Sequence, residues 1–236
     1  MSFAYDPQAR NGWQLEDVTF DVAPGQTVAL VGHTGAGKTS VINLLARFYE
    51  AQHGIVRLDG HDIRDLTLDS LHEQTGIVLQ SNFLFAGSVL ENLRFVQPGL
   101  TEADAVRGFR ELGCEEVLVR LQNGIHTDVG ERGANLSEGE RQIVCFVRAL
   151  LARPTILILD EATSAVDTRT EALILRALHS LAARQTTVVI AHRLSTIRDA
   201  HRILVMEDGR LVEEGTHESL LAAEGVYARL YGEYAD

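Results

Sequence analysis

The sequence predicts an α/β fold: a core on a mainly parallel sheet, an antiparallel β subdomain near the N-terminus and an inserted helical subdomain. Three observations predict it. Strand-length apolar runs such as Thr27–Val31 and Ile156–Leu159 alternate with helix-length segments, the order that builds a parallel sheet with helices on both faces. Short strand signals at Ile55–Leu58 and Gly76–Leu79, with the turn pair Asp59-Gly60 between them, mark small β elements. From Ser88 to about Gln122 the pattern is helical without a buried strand, as in Ala103, Val106, Phe109 and Leu112.

Taken in order, Leu15–Val22 carries apolar residues at Val18, Phe20 and Val22, a period of two that predicts a half-buried strand broken by Pro24-Gly25. Thr27–Val31 reads as a strand buried on both faces, followed at once by a glycine-rich turn and a helix from about Lys38 through Tyr49. A polar helix covers Leu68–Gln74. Beyond the inserted region, Asn123–Asn135 reads as a loop, and Ser137 with Glu140 three residues on opens a helix that Pro154 ends. Strand Ile156–Leu159, helix Thr170–Ala183, strand Thr187–Ile190 and strand Ile203–Met206 follow, and Glu218–Tyr234 reads as a short amphipathic surface helix. The core then comprises about 1–80 and 153–236, and the helical subdomain about 81–152.

A chain of 236 residues, 45% hydrophobic and 23% charged, can bury a full core. Its formal net charge of −12, with no sustained basic run, argues against nucleic acid as a partner. Cys114 and Cys145 lack CxxC or histidine neighbours at ligand spacing and read as reduced packing residues. The longest apolar runs are far shorter than the roughly 20 residues that span a bilayer. Ser2-Phe3-Ala4-Tyr5 already reads like the inside of a domain, as expected of a piece of a longer polypeptide.

Gly32-His33-Thr34-Gly35-Ala36-Gly37-Lys38-Thr39, followed by Ser40, fits G-x-x-x-x-G-K-[ST] between a buried strand and a helix. Glycines let successive N–H groups turn toward an anion, the helix adds its positive end, and Lys38 supplies charge to the outer phosphates. Thr39 would hold Mg²⁺, whereas His33 fills a variable, solvent-facing position. Asp160-Glu161 closes an apolar strand, where open parallel sheets place their ligands. Asp160 suits the Mg²⁺ shell, and Glu161 reaches far enough to act as general base on an attacking water. The chain thus reads as a P-loop NTPase taking ATP and Mg²⁺.

Asn135-Leu136-Ser137-Glu138-Gly139-Glu140-Arg141-Gln142 resembles the signature segment of the ATP-binding cassette (ABC) family, usually written LSGGQ. The resemblance covers essentially the whole chain: Gln80 is similar to the Q-loop glutamine, which senses Mg²⁺, Ser164-Ala165-Val166-Asp167 to the D-loop and His192 to the switch histidine. Thr127–Gly133 resembles the x-loop of exporters, and Phe83-Leu84-Phe85 is exporter-like. Tyr5 resembles the A-loop aromatic that stacks on adenine. The resemblance implies two cassettes closing face to face on two ATP molecules, with Ser137 and Gly139 touching the partner's γ-phosphate and His192 the one bound in cis. It also implies separate transmembrane domains of a transporter and a place on the cytoplasmic side of the cell (inner) membrane. Catalysis would fall to Glu161, His192 and Gln80, with Asp167 at the nucleotide.

Glu138 stands where the family has glycine and Glu140 where it has glutamine. With Glu161 intact, this pattern matches one half of a heterodimeric exporter, donating an altered signature to a partner whose own acidic pair is defective. The alternative is a soluble regulatory ABC ATPase without membrane domains, which tandem cassettes or long basic arms would accompany.

Overall fold

The computed structural model describes residues 1–6, 12–79, 81–160, 168–191 and 193–235. The chain divides into two compact units, Met1–Thr75 with Ile158–Glu161 and Thr186–Asp236, and Gly76–Leu157 with Ala162–Gln185. Among the described residues no helix is long and apolar enough to cross a membrane.

The first unit is built on β1 (Thr27–Val31), which feeds α1 (Lys38–Leu45). A two-stranded antiparallel sheet follows, β2 (Arg57–Leu58) and β3 (His61–Asp62), and then α2 (Leu68–Gln74), capped by Thr67. β4 (Thr75–Val78), α3 (Val89–Arg94), α4 (Glu102–Glu111), α5 (Glu115–Arg120) and α6 (Glu138–Ala152) lead into β5 (Ile156–Asp160) and α7 (Thr168–Ala182). The chain closes with β6 (Thr186–Ile190), α8 (Leu194–Arg198), β7 (Arg202–Glu207), β8 (Arg210–Gly215), α9 (His217–Ala222) and α10 (Val226–Ala235).

In the first unit β5, β6, β1, β7 and β8 lie side by side in that order. β6 and β7 run parallel to β1 on either side, with Ala29 opposite Val189 and Ile203. Every residue of β1 after Thr27 is buried, as a central strand covered on both faces requires. β8 closes the edge antiparallel to β7, with alternating burial and charged outer residues that blunt it against pairing with other chains.

The second unit is mostly helical. α3, α4 and α6 each start with a reciprocal capping box, Ser88 with Glu91, Thr101 with Asp104 and Ser137 with Glu140, satisfying N–H groups that would otherwise lack partners. Phe109, Leu112, Ile143, Phe146 and Leu173 are buried in its core. A Cβ on Gly76 would sit 2.6 Å from Pro154.

Several expected elements are corrected. Leu15–Val22 forms only a bridge from Leu15 to Phe3, because Asp17 turns left-handed (φ 52) and the flanking N–H groups go elsewhere, Glu16 to Gly209 O and Val18 to Met1 O. α1 stops at Leu45 rather than Tyr49, since Arg47 is left-handed (φ 54) and the N–H groups of Phe48 and Tyr49 fold back onto Asn43 O. The tail is two helices rather than one surface helix, and it buries Tyr227 and Leu230.

Candidate functional site

The glycine turn after β1 is fixed by space as much as by conformation. Gly32 has φ 149, and a Cβ there would lie 2.2 Å from Met206 O, a backbone atom that cannot step aside. Gly37, φ 99, is the N-cap of α1, and a Cβ on it would meet Leu15 at 2.7 Å. Only glycine fits both positions. With no side chain at Gly37 to cap the helix, the first N–H groups of α1 are left for an anion, favoured there by the helix dipole.

Lys38 is 6% exposed, and its Nζ donates to Gly32 O at 2.5 Å and His33 O at 2.9 Å. The ammonium is thus folded back across its own loop, in the middle of the turn. Burial lowers its pKa from 10.5, partly offset by the charge of Asp160, and burial likewise raises Asp160 above the ordinary carboxylate value, offset by Lys38. For each group, desolvation opposes the charged form and the other's charge supports it. A set of phosphate charges beside Lys38 would restore what desolvation takes away.

His33, Thr34 and Thr39 are exposed and Ser40 is buried. His33 Nδ1 lies 3.8 Å from Glu233 Oε2 of α10. Gly35 has φ 89, and Ala36 N–H donates to His33 O, closing the turn. Tyr5 is 45% exposed, its hydroxyl 3.2 Å from Ser40 Oγ. Gln80, Glu161, Asp167 and His192 lie outside the described residues.

Ser137 and Gly139 belong to the second unit. Ser137 is exposed, and both its N–H and its Oγ donate to Glu140 Oε2 at 2.8 Å. Gly139 is buried in the first turn of α6. Before it, Gly130 (φ 72) and Arg132 (φ 54) bend the acidic loop, and Asn135 Nδ2 donates to Asp128 O.

Among the described residues no group of three or more His, Cys, Asp or Glu side chains could hold a metal. Thr39 and Asp160 are instead two hard oxygen donors flanking a phosphate turn. That set fits Mg²⁺, which keeps most of its shell as water and phosphate oxygens.

Sequence comparison agrees with this geometry. The family described as ABC transporter matches residues 15–164, well over half of the chain. The chain belongs to the ABC transporter family. This ABC domain is 48% identical, over 98% of its length and 38% of the relative's, to an uncharacterized ABC transporter ATP-binding protein of Bacillus subtilis (strain 168). It is 46% identical to an ATP-dependent lipid A-core flippase of Methylobacillus flagellatus, over 92% of the chain and 37% of the flippase. A solved bacterial Atm1-family ABC exporter with ATP bound superposes with a TM-score of 0.90 at 42% identity, covering 100% of this chain and 41% of that one. The chain therefore spans well under half the length of the relatives it matches. It is an ABC ATPase domain, and its fold class agrees with the one the sequence predicts.

Sequence reasoning missed the residues that hold Tyr5, Asn43 and Gln52 above all. Neither lies in a recognisable motif. The available signal was weak: polar side chains at helix and loop positions beside an exposed aromatic.

Proposed function

We propose that this chain is the ATP-binding and ATP-hydrolysing module of an ABC exporter, coupled to transmembrane domains that lie outside it, on the cytoplasmic side of the cell membrane. The observation that carries the reading is the buried Lys38 ammonium at the centre of a glycine-built turn beside Asp160. Gly32 to Ser40 bind the phosphates, and Tyr5 stacks on the adenine. Thr39 and Asp160, with Gln80, hold Mg²⁺, which when bound neutralises phosphate charge. Glu161 takes the proton of the attacking water while His192 contacts the γ-phosphate, so that the products are ADP and phosphate. Asp167 and the signature helix of an opposing cassette complete the site, and Ser137 and Gly139 play that part for the opposing cassette's nucleotide.

The altered signature favours a heterodimer. Two carboxylates, Glu138 and Glu140, stand at the helix end that faces the partner's nucleotide, while Glu161 is retained. ATP turnover at full rate by a symmetric pair of this chain would count against that pairing.

Glu161→Gln tests the chemistry. It should leave MgATP binding within about twofold and lower phosphate release by roughly 10²- to 10⁴-fold. Undiminished release in a phosphate assay would reassign the base.

A further inference from the structure

Tyr5 is held from three directions, all within the first unit. Its neighbour Ala4 is gripped by the carboxamide of Gln52: Oε1 accepts from Ala4 N–H at 2.9 Å, and Nε2 donates to Ala4 O at 3.0 Å. One side chain thereby supplies the donor and acceptor that a neighbouring strand would otherwise provide. The Tyr5 ring packs edge-to-face with Phe3, centroids 4.8 Å apart at 79°, and with Tyr49, 4.9 Å at 87°. Phe3 is 1% exposed, so one of these walls belongs to the rigid core.

The hydroxyl is the third anchor. It accepts from Asn43 Nδ2 at 2.8 Å and lies 3.2 Å from Ser40 Oγ, to which its own proton can go. Ser40 and Asn43 are three residues apart on α1 and share a face. The same helix begins with Lys38. The ring is therefore tied to the element that carries the phosphate-binding lysine, yet remains 45% exposed.

We propose that Asn43 and Gln52 are positioning residues for the base-binding platform: they fix the Tyr5 ring at a set distance from the phosphate turn before nucleotide arrives. The inference rests on the reading of Tyr5 as the adenine-stacking residue. An exposed aromatic side chain would otherwise sample several rotamers, and ordering it on binding would cost affinity. Two hydrogen-bonding side chains, one on the backbone and one on the hydroxyl, remove that cost in advance. They also make recognition of the base and of the triphosphate parts of one rigid geometry.

Calorimetry on the intact chain with two ligands tests this: MgATP, and magnesium tripolyphosphate, which has the phosphates and no base. Asn43→Leu, Gln52→Leu and Tyr5→Phe should each weaken MgATP binding by about 3- to 10-fold, the loss expected for one or two hydrogen bonds, and leave tripolyphosphate binding within about twofold. Because Asn43 and the Tyr5 hydroxyl share one bond, the double variant Asn43→Leu/Tyr5→Phe should lose no more than the worse single variant. Equal loss for both ligands would mean that these residues merely support the fold, and would overturn the inference. Unchanged MgATP binding in all three, with a loss in Tyr5→Ala, would leave the platform standing and remove the positioning role. Unchanged binding in Tyr5→Ala would remove the adenine reading itself. If Asn43→Leu does not fold, Tyr5→Phe still interrogates the same bond from its other end.

Discussion

Lys38 shows how a binding site can be assembled at the expense of the unliganded protein. Burial lowers its pKa from 10.5, and a triphosphate in the turn would raise it again by adding negative charge. Unliganded protein thus gives up the Lys38 proton at a lower pH than the complex does. Between those two values binding takes up a proton, and affinity falls as pH rises through the window. Calorimetry in two buffers of different ionisation enthalpy, at a series of pH values rising toward 10.5, should show proton uptake that grows as the unliganded lysine begins to lose its proton. Absence of uptake throughout the series would place the lysine away from the phosphates. For stability the sign is opposite to that of an ordinary paired lysine: the unfolded chain holds the proton more tightly, so the unliganded fold gains stability as pH rises through the lowered value toward 10.5. Asp160, raised above 3.8, costs stability as pH climbs past 3.8 through its folded value. Gly32 is the complementary case, where geometry rather than charge decides. Its Cβ position lies 2.2 Å from a backbone oxygen at φ 149, so Gly32→Ala should cost roughly 2–4 kcal/mol in denaturant unfolding. A loss below about 1 kcal/mol would mean that the loop relaxes freely.

At the scale of elements, α6 carries the most consequential departure from the family pattern. Ser137 N–H and Oγ both donate to the carboxylate of Glu140, so the donors proposed for the partner's γ-phosphate are already satisfied by an anion. Glutamine at that position would accept the same bonds without the charge. Glu140→Gln should therefore keep α6 capped and strengthen ATP-dependent pairing or turnover by about 3- to 10-fold, the scale of one screened like-charge contact at close range. A fall in turnover, with the thermal midpoint unchanged, would show the carboxylate to be useful rather than obstructive. The capping box was readable because Ser137 and Glu140 are three residues apart, and the phosphate turn was readable for the same reason, being one contiguous pattern joining β1 to α1. What escaped reading depends on distant partners. α10 has no Ser, Thr, Asp or Asn before Val226; Glu213 of β8 supplies the cap, accepting from the N–H groups of Val226 and Tyr227. The β7–β8 hairpin did carry a local signal, Asp208-Gly209 with φ 47 and 77, a two-residue turn pair of the kind that joins antiparallel strands. The charged edge residues Arg210, Glu213 and Glu214 obscured the second strand.

At the scale of the whole molecule, the proposed site is incomplete in one chain. On the proposed reading the turn around Lys38 supplies phosphate binding, but Ser137 and Gly139 serve the nucleotide of an opposing cassette, so hydrolysis would require association. Each copy carries a formal net charge of −12, and like-charged bodies repel over roughly a Debye length, about 10 Å at 0.1 M salt. Closure must then be driven by ATP lodged at the interface, and association of the free chain should be weak. Turnover of the chain on its own, below that of the proposed heterodimer, should accordingly rise per chain with concentration, so that the total rate grows nearly as its square while monomers dominate. Raising salt from about 0.02 to 0.2 M should ease the repulsion and raise turnover at fixed low concentration. Phosphate release measured over a hundredfold dilution series decides the matter. A rate per chain that stays constant through the series, with sedimentation showing monomers throughout, would mean that one copy hydrolyses ATP unaided and that the signature helix has no part in the chemistry.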